Sequence, residues 1–171
     1  VAHRITTPLF GAGLIEAIPA ASILARQDPL DLNHDGISGR ANMVLNPESH
    51  VTEVGRFGWK SQVTALHVFS GDAYLNEMGI TNPTFPREVL PQGKPIPPGA
   101  DPVADPEDKG LATNQVTDFM RFLAPPPPGA GNTQGASLFT STGCVSCHTA
   151  AMTTGANAVP ALANKQVRLY S

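Results

Sequence analysis

Cys144-Val145-Ser146-Cys147-His148 is the stretch that decides the fold: two cysteines separated by two residues and followed at once by a histidine form the C-x-x-C-H signature of covalent haem attachment. The two-residue spacer closes a single turn. Both sulfurs then lie over one porphyrin edge, where each adds to a vinyl group, and His148 swings beneath the iron as proximal ligand. A disulfide is the bland alternative. A thioredoxin-like redox pair would open a helix straight after a strand of a βαβ unit, and the sequence shows no such unit. Zinc would want four ligands, and the chain has only 2 Cys.

Working upstream, Gly135-Ala136-Ser137-Leu138-Phe139 with Gly143 resembles the N-terminal helix of class I cytochrome c domains, and a small-residue helix is predicted over Gln134 to Thr140. Before it, Ala124 to Gly131 is a stiff polyproline run ending in a hinge. The expected organisation is a helical and loop region over 1–123, a linker over 124–131 and an incomplete cytochrome c-like haem domain over 132–171. Forty residues are too few to enclose a haem, since below ~40 residues an independent core is rarely adequate. Upstream residues or another chain must complete the pocket.

The sixth iron ligand has no clear source. Met152 follows His148 too closely to reach the distal side, and Met43, Met78 and Met120 each read equally well as core. A ligand from outside the chain, or none, is expected.

The fold class is mainly α with long Pro/Gly-rich loops, as 16 Gly and 17 Pro imply. A short helix follows Gly11-Ala12-Gly13 and ends near Pro19, and a second begins at Ala20 or Ala21. Asp28 to Pro47 reads as loop. Val63 to Met78 reads as one kinked helix or two short ones, broken at Ser70-Gly71. Pro83 to Pro106 is too rich in proline for a helix or a central strand. Thr113 to Leu123 is helical, with Val116, Phe119, Met120 and Leu123 on the core face and Thr113 or Asn114 as N-cap. Strand signals are nearly absent.

The mild acidity, 11 Lys plus Arg against 14 Asp plus Glu for a net charge of -3, argues against nucleic acid as a partner. No run approaches the ~18 to 20 apolar residues of a membrane span, and no signal peptide is visible.

Two further stretches invite chemistry. Asp31-Leu32-Asn33-His34-Asp35-Gly36-Ile37 matches the first half of an EF-hand loop, with oxygens of Asp31, Asn33 and Asp35 and the Ile37 carbonyl as ligands, but Asn42 stands where the bidentate Glu belongs. It is either a weak calcium site or a metal-free Asp/Asn turn. Trp59, the only Trp, reads by default as core; beside a haem, a large aromatic is also an electron relay.

Gly11 to Pro19, the Asp31 to Arg40 loop, Gly55-Arg56-Phe57-Gly58-Trp59-Lys60, Glu77 to Pro83 and the haem motif, in this order, resemble a bacterial dihaem family labelled thiol-oxidoreductase-like and related to dihaem cytochrome c peroxidases. The resemblance implies a periplasmic, mainly helical protein with two cytochrome c-like domains, in which one haem accepts electrons and the other meets peroxide or another substrate. It also implies a Trp between the haems, a Leu-x-x-Gln pattern and a Glu-Met pair beside the peroxide site. Trp59, Leu66 and Glu77-Met78 match these landmarks, whereas Phe69 stands at the Gln position. Glu77 is the candidate acid or base, because a positioned carboxylate shuttles protons; its bland alternative is a surface or capping carboxylate.

A second C-x-x-C-H is missing and the chain stops at Leu169-Tyr170-Ser171, so a fragment of a longer protein is expected. Electron transfer through haem c, within a dihaem oxidoreductase or peroxidase, is the expected function. The alternative is a non-catalytic cytochrome c carrier or structural subunit of a redox assembly. The expected partner is a redox protein, or the remainder of the same polypeptide carrying a second haem.

Overall fold

The computed structural model describes residues 7–127, 129 and 131–170. Pro128 and Ala130 of the expected linker, the first six residues of the expected 1–123 region and Ser171 lie outside the described residues. The architecture is mainly α. The helices are α1 (Ala12–Glu16), α2 (Ala20–Leu24), α3 (Leu66–Met78), α4 (Leu111–Phe122) and α5 (Thr133–Ser141). Four strands of three residues each, β1 (Met43–Leu45), β2 (Thr52–Val54), β3 (Ala151–Thr153) and β4 (Gln166–Arg168), form two antiparallel pairs, β1 with β2 and β3 with β4. Backbone contacts divide the chain into two compact units, one built on Met43–Phe122 and the other on 8–42 together with 123–170.

In the first unit, β1 and β2 lie in register Met43↔Val54, Val44↔Glu53 and Leu45↔Thr52. The structure thus corrects the expectation of loop as far as Pro47. The connecting turn is organised by Asn46, whose Oδ1 accepts from the N–H of Glu48 at 2.9 Å and whose Nδ2 donates to Glu53 Oε2 at 3.2 Å. Three-residue strands are too short to print an alternating pattern, which is why the sequence shows none.

α3 runs unbroken through Ser70-Gly71. These residues are the station where other parts of the unit close on the helix. Ser70 is buried, donates to the Leu66 carbonyl at 2.9 Å and lies 2.9 Å from Thr117 Oγ1 of α4. Gly71 leaves room for Asn82, whose Nδ2 donates to the Gly71 carbonyl at 2.9 Å; a Cβ on Gly71 would stand 2.8 Å from Asn82 Oδ1. Thr81 and Asn82 are both fully buried. Thr81 pins the proline-rich segment: its N–H donates to Glu107 Oε2 at 3.1 Å and its carbonyl accepts from Asp108 at 3.0 Å. The apolar core around them is Val54, Val63, Leu66, Val68, Leu75 and Met120.

α4 starts at Leu111, two residues ahead of Thr113. Asp108 organises its first turn, its carboxylate accepting from the N–H groups of Gly110, Ala112 and Thr113 at 3.1, 3.1 and 2.9 Å. The buried stripe is Thr113, Thr117 and Met120, whereas Phe119 is 61% exposed. That corrects the expected core face: hydroxyls satisfied within the helix pair, as Thr117 is by the Thr113 carbonyl at 2.7 Å, let α4 lie close to α3 where a ring would not fit.

In the second unit the buried residues include Ala12, Ile18, Thr154 and Leu162. The first helices are tied to the later segment through the backbone, Gly11 N–H to the Leu123 carbonyl at 2.8 Å and Gly155 N–H to the Ala17 carbonyl at 2.9 Å. β3 and β4 pair in register Ala151↔Arg168, Met152↔Val167 and Thr153↔Gln166.

Candidate haem-attachment site

The C-x-x-C-H stretch sits between α5 and the β3–β4 pair of the second unit. Asn132 caps α5, its Oδ1 accepting from the Gly135 N–H at 2.8 Å. Gly143, at φ 83°, reverses the chain as only glycine does cheaply. A 3₁₀ turn over Cys144–Ser146 follows, in which the Ser146 N–H donates to the Gly143 carbonyl at 3.1 Å. Both the Cys147 and His148 N–H groups converge on the Cys144 carbonyl, at 3.2 and 2.9 Å. One tight turn therefore carries all three side chains of the motif.

Both cysteines are free thiols, Cys144 half-buried and Cys147 exposed. Thr142 Oγ1 lies 3.3 Å from Cys144 Sγ. His148 is exposed. The side chains of the motif do not gather around one point. Among the described residues, the only three acidic, His or Cys ligand atoms lying within 4.8 Å of one another belong to Glu88, Asp101 and Asp105. A single bound ion would require such convergence; a porphyrin held by two thioethers at its edge and by an imidazole at its iron does not.

The surroundings suit a large apolar guest. α5 buries none of its residues, and Leu138 of α5 and Val145 within the motif's turn are both exposed. Phe139 packs edge-on against Tyr170, ring centroids 5.0 Å apart at 87°, which ties α5 to the chain beyond β4. Apolar surface of this kind is ordinarily covered.

The other candidates are scattered. Asp31, Asn33 and Asp35 form an exposed loop in which side-chain oxygens turn inward on the backbone. Asp31 accepts from Asp35 and Gly36, Asn33 Oδ1 from Asp35 at 3.1 Å, and Asp35 Oδ1 from Ile37 at 2.9 Å. These are the bonds by which Asp and Asn side chains stabilise a turn. Trp59 is 76% exposed, against its default reading as core. The Phe57↔Val63 bridge closes a hairpin whose tip carries it, with Gly58 and Ser61 at positive φ, so the ring is held out by the turn. Glu77 is exposed in the last turn of α3.

Two constellations escaped sequence reasoning. Glu88, Asp101 and Asp105 converge beside an open cleft of about 350 Å³ that Glu88, Val89, Ile96, Asp101 and Glu107 help to line. Burial, then the charges of Asp101, Asp105 and Glu107, raise the pKa of Glu88. His67, near the start of α3, presents Nδ1 to Glu48 Oε1 at 2.5 Å, and that oxygen also accepts from Thr84 Oγ1 at 2.5 Å. Partners 19 and 17 residues from His67 leave no local signal.

The family model described as "Di-haem oxidoreductase, putative peroxidase" matches residues 1–171. No curated protein and no solved structure matches the chain.

Proposed function

The chain belongs to the di-haem oxidoreductase family, and from that premise we propose that it holds a c-type haem on Cys144, Cys147 and His148 and passes electrons through it, outside the cytoplasmic membrane. The observation that carries the proposal is the single turn in which the backbone N–H groups of Cys147 and His148 both donate to the Cys144 carbonyl, so that two free thiols and an imidazole project from five consecutive residues. When bound, the haem supplies a one-electron ferric/ferrous couple.

The chain's own residues have separate tasks. Cys144 and Cys147 anchor the porphyrin edge, His148 supplies the proximal nitrogen, and Leu138 and Val145 offer apolar surface that would shield it from water. Residues 132–170 do not form this pocket's support alone, since 8–42 packs in the same unit. Trp59, displayed at a hairpin tip, serves in this proposal as an electron relay toward a partner haem or protein.

A peroxidase also needs two electrons and two protons for each hydrogen peroxide converted to two waters. A bound haem would supply one electron, so the pair that the reaction consumes would require two of them. Glu77 is the candidate proton shuttle. Its exposure in the last turn of α3 favours a second reading, a non-catalytic electron carrier.

Haem that remains on the denatured polypeptide, and is lost from it in a Cys144→Ala, Cys147→Ala double variant, is the expected result for covalent attachment. Haem that washes away from the unaltered chain would exclude it. Peroxide turnover by the full-length holoprotein separates the two functional readings: Glu77→Ala is expected to slow it roughly 10²- to 10⁴-fold, and equal rates would leave Glu77 no part in the chemistry.

A further inference from the structure

We propose that Thr142 is a positioning residue for covalent haem attachment, its hydroxyl holding the Cys144 thiol in the orientation from which it adds to a porphyrin vinyl group; the inference rests on the haem reading above and extends it to a residue outside the C-x-x-C-H motif. Thr142 is the C-cap of α5. Its N–H and its hydroxyl both donate to the Leu138 carbonyl one turn back, at 2.9 and 2.7 Å, and the Ser141 hydroxyl reaches the same oxygen at 3.4 Å. A β-branched side chain bonded back to residue i−4 has its χ1 fixed. The Thr142 hydroxyl therefore points one way.

That hydroxyl also lies 3.3 Å from Cys144 Sγ, across the turn that Gly143 makes at φ 83°. A hydroxyl has one proton and two lone pairs, and the Leu138 carbonyl takes the proton at an ordinary O–H···O distance. Toward Cys144, Thr142 Oγ1 is thus the acceptor and the thiol is the donor. The two sulfurs of the motif are not equivalent. Cys144 is half-buried and tied to the end of α5, whereas Cys147 is exposed.

Each attachment breaks an S–H bond and the π bond of a vinyl group and forms a C–S bond, with the hydrogen ending on the outer vinyl carbon. No electron is gained or lost overall, and no further reactant is consumed. An unrestrained cysteine side chain spreads over three staggered rotamers. Held in one of them, Cys144 presents its sulfur without first losing that freedom, which is the advantage of orientation before reaction. With its hydrogen turned to Thr142, the sulfur directs away from Thr142 the lone pairs that form the new bond. The hydrogen that Thr142 accepts is the one that leaves sulfur, so the contact acts before attachment and is gone afterwards.

The test uses the full-length protein matured in cells that attach haem to C-x-x-C-H sequences, sampled over time after haem is supplied. Tandem mass spectrometry then locates the bonded sulfurs in each haem peptide. Thr142→Val keeps the side chain's shape and removes the hydroxyl. It is expected to slow bond formation at Cys144 about threefold, as release from one rotamer into three implies, and to leave the rate at Cys147 unchanged, so that haem bonded through Cys147 alone accumulates. Thr142→Ser is expected to restore the Cys144 rate. Rates unchanged at both cysteines in the valine variant overturn the inference, as do rates lowered by the same factor at both, which a merely weakened α5 would give; failure of serine to restore the Cys144 rate does the same. If the valine variant does not fold, Thr142→Ala is put through the same comparison. Unaltered protein that bonds haem at neither cysteine removes the haem reading itself, a result distinct from every outcome for Thr142.

Discussion

Glu88 shows how a single residue stores electrostatic tension. Its carboxylate lies within 4.8 Å of those of Asp101 and Asp105, and burial followed by these charges and Glu107 raises its pKa. The folded chain therefore holds this proton at pH values where the unfolded chain, with an ordinary Glu pKa of ~4.3, has released it. Its contribution to stability is full below the unfolded pKa and is lost as pH rises through the folded one. Glu88→Gln is expected to raise the thermal midpoint at pH 7 and to have no effect near pH 3, measured by circular dichroism; a lowered midpoint at pH 7 would contradict the repulsion. Leu66, 1% exposed, is the opposite kind of residue, and Leu66→Ala is expected to cost about 2–5 kcal/mol in denaturant unfolding.

At the scale of elements, α4 depends on what precedes it. Burial pushes the Asp108 carboxyl up, but the N–H groups of Thr113, Ala112 and Gly110 and the Thr113 hydroxyl outweigh it and hold the pKa below the usual carboxylate range. This stability is present above the unfolded value and is lost as pH falls through the folded one. Asp108→Ala is expected to cost about 0.5–2 kcal/mol at pH 7 and progressively less in acid, where the wild-type carboxylate is itself protonated. α3 depends on a missing side chain: Gly71→Ala would drive a Cβ to 2.8 Å from Asn82 Oδ1 and 3.2 Å from the Phe85 ring. The expected loss is about 1–3 kcal/mol, read as a lowered urea midpoint with an unchanged slope.

At the scale of the molecule, the segment that bears the C-x-x-C-H motif is completed by residues more than a hundred positions earlier. Gly11 bonds to Leu123 and Gly155 to Ala17, and a Cβ on Gly155 would meet Pro19 at 3.1 Å. A peptide of 123–171 alone is expected to exchange its amide hydrogens without protection and to unfold without cooperativity, and linking 8–42 to it is expected to restore both. Cooperative unfolding of the isolated peptide would show the earlier segment to be dispensable.

What the sequence determined by itself is local. The C-x-x-C-H spacing announces the turn that the structure builds, helical spacing finds α1 and the start of α2, the small-residue run Gln134 to Thr140 lies within α5, and proline density keeps Pro83 to Pro106 free of α-helix and strand. Each depends on residues a few positions apart, where backbone sterics and i to i+4 bonding act. Only the tertiary structure decided that Trp59 stands at a hairpin tip, that α4 buries threonines rather than Phe119, that 8–42 belongs with 123–170, and that Glu48 and Thr84 meet on one side of His67. These outcomes come from close packing and hydrogen-bond pairing between segments tens of residues apart, and no local pattern of residue types encodes which distant partner arrives.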